Sequence, residues 1–272
     1  FPNEKNQLYK NFWPASIHII GKDILRFHAI YWPAFLLAAK LPLPLRIFSH
    51  GWILSDEKKM SKSKGNILDP ITIVDKYGID QLRYYLLKEV SLGNDVNVSL
   101  ENLKNCVNND LANNYGNLCQ RVFSFIAKNC GNKVPKPGNF IQEDKNLTDK
   151  LKKDINNLIS LMNNQDLNSY IRNVVSYSFD ANKYFNDSKP WDVKKENKER
   201  MNTIIFTIVE QIKNISILLS PIIPNTTEKV FKILNLKKED LTIDNISNFK
   251  KINHDLELGK IEILFRKIEN DN

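Results

Sequence analysis

The sequence predicts an α/β domain over residues 1–96 and an all-α helical bundle over residues 97–272. Three observations carry that reading. Short β-branched runs alternate with helical patterns in the first part. After about Asn97, apolar residues recur at steps of three, four and seven. Beyond that, Pro and Gly separate long helical segments, as bundle connections do.

Residues 16–20 (Ser-Ile-His-Ile-Ile) are short, β-branched and ended by Gly21, which predicts a buried strand. Asp23 stands where an N-cap would, with a helix expected over 24–40, its carboxylate accepting the free N–H groups of the first turn. A second strand is expected at 46–49, a polar loop at 55–66 and a helix at 80–89, where Leu82, Tyr85, Leu86 and Val90 keep helical spacing. Leu100, Leu103, Val107, Leu111, Leu118, Val122 and Ile126 then mark one long helix. Pro135, Pro137 and Gly138 break it, and further helices are expected at 147–162, 167–185 and 199–219. Asn225 with Glu228 reads as a capping box opening a fifth helix. After Thr242 the pattern weakens, with a strand expected at 262–265.

Composition bounds the function classes. With 42% hydrophobic and 26% charged residues the chain can bury a core, which excludes a disordered tail. The net charge of +8 is spread evenly, 13 basic against 9 acidic residues to position 96 and 26 against 22 beyond it. Such an excess permits a nucleic-acid partner without specifying one. Cys106, Cys119 and Cys130 are odd in number and form no C-x-x-C pair, which argues against a disulfide framework and a zinc knuckle. They read as reduced, partly buried thiols of a cytoplasmic protein, and zinc is not expected in this segment. No apolar run approaches the ~20 residues that span a bilayer, and a secretory signal is not expected.

The most informative stretch is Lys58-Lys59-Met60-Ser61-Lys62-Ser63-Lys64-Gly65-Asn66. Four lysines in seven positions repel one another, which does nothing for folding but suits a polyphosphate. Ser61 and Ser63 add hydroxyl donors, and Gly65 permits a turn with positive φ. By itself such a run also describes a solvated surface loop; the Walker pattern G-x-x-x-x-G-K is missing.

Wider context decides between them. Ser49-His50-Gly51-Trp52 precedes the loop, and Asp69-Pro70 and Tyr77-Gly78-Ile79-Asp80-Gln81-Leu82-Arg83-Tyr84-Tyr85 follow it. Here the chain resembles the class I aminoacyl-tRNA synthetases, whose mobile catalytic loop carries Lys-Met-Ser-Lys-Ser, complete at Lys59 to Ser63. The resemblance implies that residues 1–96 are the second half of a Rossmann-like nucleotide-binding domain. It also implies ATP with Mg2+ as substrate, bound in part by Lys59, Met60, Ser61, Lys62 and Ser63. Lys59 and Lys62 would be catalytic, because charge builds on the departing phosphates as a carboxylate attacks the α-phosphorus.

The run from Gly21-Lys22-Asp23 through Phe27-His28-Ala29-Ile30-Tyr31-Trp32-Pro33 narrows the resemblance to the methionyl-tRNA synthetase family. It implies that Gly21 and Asp23 lie against the ATP ribose, and that Phe27, His28 and Trp32 line a methionine pocket. Thioether sulfur against aromatic edges gains ~0.3–1.5 kcal/mol, a modest but shape-selective term. Read alone, Asp23 is a plain N-cap and His28, Trp32 and Phe35 are core residues of an amphipathic helix. Trp13 reads as structural.

In the helical part, Asn113, Asn117 and Arg121 repeat every four residues off the apolar stripe. Lys189-Pro190-Trp191 interrupts a helix and presents an indole on which a base can stack. Without context, abundant Asn and a Trp after Pro mean little. The resemblance implies that Asn113, Asn117, Arg121 and Trp191 read the CAU anticodon of methionine tRNA. The family's Leu-Phe-Pro-Arg-Ile-Glu ending stands here as Leu264-Phe265-Arg266-Lys267-Ile268-Glu269.

The family's His-Ile-Gly-His motif does not occur, and His18-Ile19-Ile20-Gly21 only echoes it in another place. The expectation is therefore the C-terminal portion of a methionyl-tRNA synthetase, with a missing N-terminal catalytic half as partner. The full activity implied is ATP-dependent formation of methionyl-adenylate and transfer of methionine to tRNA. Two alternatives stay open: a catalytically inactive anticodon-binding fragment, and another class I synthetase for a hydrophobic amino acid.

Overall fold

A short helix, α1 (Gln7–Phe12), leads into strand β1 (His18–Gly21) in the computed structural model, which describes residues 6–55, 58–60, 68–89, 93–247 and 251–269. β1 pairs in parallel with β2 (Ile47–His50), His18 opposite Ile47 and Gly21 opposite His50. Both lie within two residues of where the β-branched runs place strands. Parallel neighbours need a crossover. Here it is a 3-10 turn (Lys22–Ile24), a π-type turn (Phe27–Tyr31) and helix α2 (Trp32–Ala38).

Asp23 is not the N-cap that its position suggests. Gly21 occupies that place with extended backbone, and Asp23 lies inside the 3-10 turn, where no side chain caps the first N–H groups. The polar loop expected at 55–66 is partly strand: β3 (Ile53–Ser55) pairs antiparallel with β4 (Lys58–Lys59) and parallel with β5 (Val96–Asn97).

The chain divides into two compact units, Phe1–Leu68 with Val90–Ser99, and Asp69–Glu89 with Leu100–Asn272. The division therefore differs from a cut at residue 96. It assigns helices α3 (Pro70–Tyr77) and α4 (Ile79–Glu89) to the helical unit. The first unit buries Ile20, Leu36 and Val98 but leaves Phe12, Ile19, Phe27, Ile30 and Phe35 more than half exposed.

The second unit holds the core. α5 (Leu100–Cys106), a π-type run (Val107–Gly116) and α6 (Asn117–Asn129) form the continuous rod that the apolar steps predict as one helix. α7 (Gln142–Asn163), α8 (Leu167–Ser188), the short α9 (Pro190–Val193), α10 (Lys198–Leu219), α11 (Pro224–Ile233) and α12 (Ile243–Ser247) follow. α10 is buried on nearly every side, the mark of a central helix. Several of its polar groups are paired: Thr207 and Ser216 donate to carbonyls one turn back, and Gln211 donates to Leu147 O.

Two expectations fail here. The Asn225–Glu228 capping box does not form, because Pro224 takes the first helical position and moves Asn225 inside α11. Asp80 of α4 replaces it, its Oδ2 accepting from Thr226 N–H at 2.6 Å and Thr226 Oγ1–H at 2.7 Å. Nor is there a strand at 262–265. Leu264 and Phe265 are buried instead, Phe265 against Gly116, where a Cβ would sit 3.1 Å from its ring. Asn108 then takes both backbone groups of Ile268, at 2.9 and 2.8 Å, so the tail docks on a helix rather than a sheet edge.

Candidate functional site

Four rings gather in the first unit. His18, at the start of β1, stacks on Trp32 with centroids 4.9 Å apart and planes 13° from parallel. His28 meets Trp32 edge-on at 5.7 Å and His18 at 6.4 Å, while Trp13 lies 6.0 Å from Trp32. Offset or edge-on aromatic pairs of this kind are worth ~0.5–1.5 kcal/mol beyond burial. His28 Nδ1 lies 3.0 Å from Ile24 O. A carbonyl only accepts, so Nδ1 is the donor, and in the neutral ring Nε2 is left as an acceptor.

His28 and Trp32 thus come together as the sequence predicts, and Phe27 does not join them. It is 58% exposed and pairs edge-on with Tyr31 at 5.6 Å. Sequence reasoning misses His18 and leaves Trp13 structural. Both stand in the cluster, and Trp13 Nε1 and His18 Nδ1 are buried without a hydrogen-bond partner among the described residues. One signal pointed to His18: it shares a strand face with buried Ile20 and leads to Gly21, at the strand end where α/β proteins bind ligands.

At the C-terminal end of β1, a Cβ on Gly21 would lie 2.6 Å from Asp23 Oδ1 and 3.8 Å from His50 Cε1. A side chain at that position would have to push the Asp23 carboxylate away from the strand end. Lys22, between them, is tied down, its Nζ 2.5 Å from Asp95 Oδ1 and 4.3 Å from the Trp52 ring centroid. The Lys22 ammonium, with the Trp52 N–H, holds the Asp95 carboxyl below its usual range. Lys59 gives its backbone to β4, opposite Leu54, and Met60 is half-buried. Ser61, Lys62 and Ser63 lie outside the described residues.

The second unit brings Arg121 and Trp191 onto one aromatic floor. Phe185, 2% exposed, has Arg121 Cζ over its ring at 4.8 Å and Trp191 edge-on at 5.7 Å. Asn186 Oδ1 accepts from Arg121 Nη2 at 2.7 Å, fixing the guanidinium. Trp191 is 36% exposed and sits on α9 behind Lys189, whose left-handed backbone (φ 40°, ψ 58°) turns the chain sharply out of α8. Asn117 is half-buried one turn before Arg121, and Asn113 is exposed in the π-type run. Their neighbour Asn114 is the structural amide, donating to Ser178 Oγ at 3.0 Å and accepting from Asn182. Phe185 and Asn186 are the members that sequence reasoning misses, because a buried Phe and one Asn among many carry no separate signal.

The three thiols are free, and burial raises all of them, Cys106 to about 12. No group of three or more His, Cys, Asp or Glu among the described residues is arranged to hold a metal ion. No described helix is long and apolar enough to cross a membrane.

A parallel strand pair ahead of Lys-Met-Ser-Lys-Ser, joined to a helical unit, defines a class I tRNA synthetase. The family description "tRNA synthetases class I (M)" matches residues 2–123, and "Anticodon binding domain of methionyl tRNA ligase" matches residues 134–272. The chain belongs to the methionyl-tRNA synthetase family. It is 45% identical over 223 residues to the methionine–tRNA ligase of Brucella suis biovar 1 (strain 1330), covering 82% of this chain and 43% of that protein. Against the Rickettsia felis methionine–tRNA ligase it is 37% identical over 271 residues, 98% of this chain and 53% of that one. The structure of Mycobacterium tuberculosis methionyl-tRNA synthetase in complex with methionyl-adenylate superposes with a TM-score of 0.93 at 35% identity, covering 97% of this chain and 52% of that chain. The chain spans about half the length of the relatives it matches.

Proposed function

We propose that this chain is the part of a methionine–tRNA ligase that closes the amino-acid and nucleotide pockets and reads the tRNA anticodon. In the whole enzyme, MgATP and L-methionine form methionyl-adenylate, and methionine passes to its tRNA in the cytoplasm. Asp23 folded over Gly21 offers a carboxylate acceptor for the ribose hydroxyls. Trp32 and the His28 ring, whose free Nε2 accepts, form an aromatic wall for a thioether. Lys59 and Lys62, with Met60, Ser61 and Ser63, stabilise the charge that develops on the departing pyrophosphate. Losing one such donor should cost ~3–4 kcal/mol of transition-state stabilisation.

The observation that carries this reading is the Trp13–His18–His28–Trp32 cluster, built on the same four-residue strand that ends at Gly21, three residues after His18. It supports an aromatic pocket beside a nucleotide-binding turn. ATP–pyrophosphate exchange by this segment within a full-length enzyme tests it, offering methionine, leucine, isoleucine and valine in turn. Exchange should depend on methionine; exchange driven by one of the others instead contradicts the assignment.

The arrangement of Arg121 and Trp191 over Phe185 favours anticodon reading by the helical unit itself. An indole one-third exposed beside a fixed guanidinium suits a splayed base, with Asn117 and Asn113 offering amide donors and acceptors along the same rod.

A further inference from the structure

We propose that Asp95 is a positioning residue for the nucleotide: through Lys22 it fixes the turn that carries Asp23 against the strands that carry Lys59. This rests on the ligase reading above and adds to it a residue from outside the sequence motifs. Lys22 opens the 3-10 turn (Lys22–Ile24) that holds Asp23, and no side chain caps that turn. Asp23 makes no side-chain hydrogen bond or ion pair among the described residues, so its place depends on the turn. The anchor comes from 73 positions along the chain: Lys22 Nζ lies 2.5 Å from Asp95 Oδ1 and 4.3 Å from the Trp52 ring centroid.

Asp95 is itself held firmly. The same oxygen accepts from the Trp52 N–H at 2.9 Å, and the Val96 N–H returns a bond to Trp52 O at 2.9 Å. Asp95 thus leads into β5, which lies beside β3 with Ile53 opposite Val96 and Leu54 opposite Asn97. Gly51 lets the two backbones meet: a Cβ there would sit 2.1 Å from Asn94 O and 2.6 Å from Asp95 N, an approach that only glycine permits. On the other edge of β3, Leu54 faces Lys59. The row Asn97–Leu54–Lys59 therefore joins the strand that Asp95 opens to the first lysine of Lys-Met-Ser-Lys-Ser. Asp95 stands between the two halves of the nucleotide site, with Lys22 leading to the ribose acceptor and the strand ladder to the phosphate loop.

The pair is poorly placed to hold the fold. Its side chains are 38% and 34% exposed, and an ion pair so open to water and salt adds little to stability. It is well placed to restrict geometry, because Lys22 is caught by a charge on one side and a ring face on the other. Misplacing a substrate-orienting group by about 1 Å costs up to ~10²-fold in rate. A direct role for Lys22 on the phosphates makes the opposite prediction. Asp95 would then compete with the nucleotide for the ammonium, and its removal would tighten ATP binding.

The test is ATP–pyrophosphate exchange in the full-length enzyme carrying this segment, with Asp95→Asn, Lys22→Met, the double variant and Lys22→Arg, each also melted thermally. Asparagine keeps an acceptor for the Trp52 N–H and removes only the charge. Asp95→Asn and Lys22→Met should each raise KM for ATP about fivefold or more, leaving KM for methionine and the melting temperature where they were. The double variant should be no worse than either single one, because the two residues act as a unit. Lys22→Arg, which keeps the charge and can stack on Trp52, should recover most of what Lys22→Met loses. An unchanged or lowered KM for ATP in Asp95→Asn would overturn the proposal. So would single effects that multiply in the double variant, or a rise in both KM values with a fall in melting temperature, which would mark a structural pair. A parent enzyme without methionine-dependent exchange would sink the ligase reading and this role with it. A parent that exchanges normally beside unaffected variants removes this role alone.

Discussion

Asp144 shows at a single residue how the bundle manages a charge. Its side chain is fully buried and both oxygens are occupied, by Arg200 Nη1 and Nη2 at 2.6 and 2.8 Å, Ile141 N–H at 2.9 Å, and the Tyr184 hydroxyl. Burial pushes its pKa up, but the bonds from Arg200, Tyr184 and Ile141 outweigh that, and the net direction is down. A lowered carboxyl pKa stabilises the fold above the unfolded value near 3.8, and that stability is lost as pH falls through the folded value. Asp144→Asn should therefore destabilise the chain at neutral pH by about 3 kcal/mol, leaving Arg200 unpaired, and flatten the stability curve below about pH 4. Urea melts at pH 7 and pH 3 check both effects. Trp191 carries a different residue-scale prediction. Trp191→Ala should weaken tRNA binding about tenfold, the worth of one stacked base, while Trp191→Phe keeps most of it. Equal loss in both variants, by fluorescence or filter binding, would argue against stacking.

Elements were legible where they repeat and illegible where they depend on distant partners. The apolar steps from Leu100 to Ile126 mark the rod correctly, although its π-type turns over Val107–Gly116 change the local pitch. The strands predicted at 16–20 and 46–49 fall within two residues of β1 and β2. α3 went unread although Asp69 caps it and Pro70 opens it, the strongest start signal in the chain. β3, β4 and β5 are two or three residues each, too short for any period. The caps at Asp23 and Asn225 failed for one reason: side-chain caps depend on where the backbone turns. At Asp23 the turn is set by Gly21, and at α11 by Pro224 and a carboxylate 146 residues away in sequence. Of the site, the lysine motif, His28 and Trp32 could be named from sequence, whereas His18, Phe185 and Asn186 become visible only through packing. The α11 cap gives an element-scale prediction. Asp80→Ala should uncap that helix and cost about 1–2 kcal/mol, lowering Tm by a few degrees. An unchanged melting curve would show that the bond to Thr226 contributes nothing net.

Across the whole molecule, the two units differ in how much they bury. The helical unit packs α10 on nearly all sides, and it also contains every residue proposed to meet the anticodon. α4 is built into that unit by Asp80, by Arg83 donating to Ile222 O and Pro221 O at 2.9 and 2.8 Å, and by Tyr84 and Lys88 on Asp110 at 2.8 and 2.6 Å. Among the described residues, the α/β unit has few buried apolar side chains, with large apolar residues at its surface. The central claim, that this chain reads tRNA, therefore rests on the better-packed unit and needs no catalysis to test. The measurement is the affinity of the 272-residue chain for methionine tRNA beside the same tRNA with one anticodon base changed, at one fixed salt concentration. A loss of about tenfold or more on changing the base is the predicted result, in line with ~1–3 kcal/mol per base read. Equal binding of the two would contradict the account and reduce the helical unit to a basic surface.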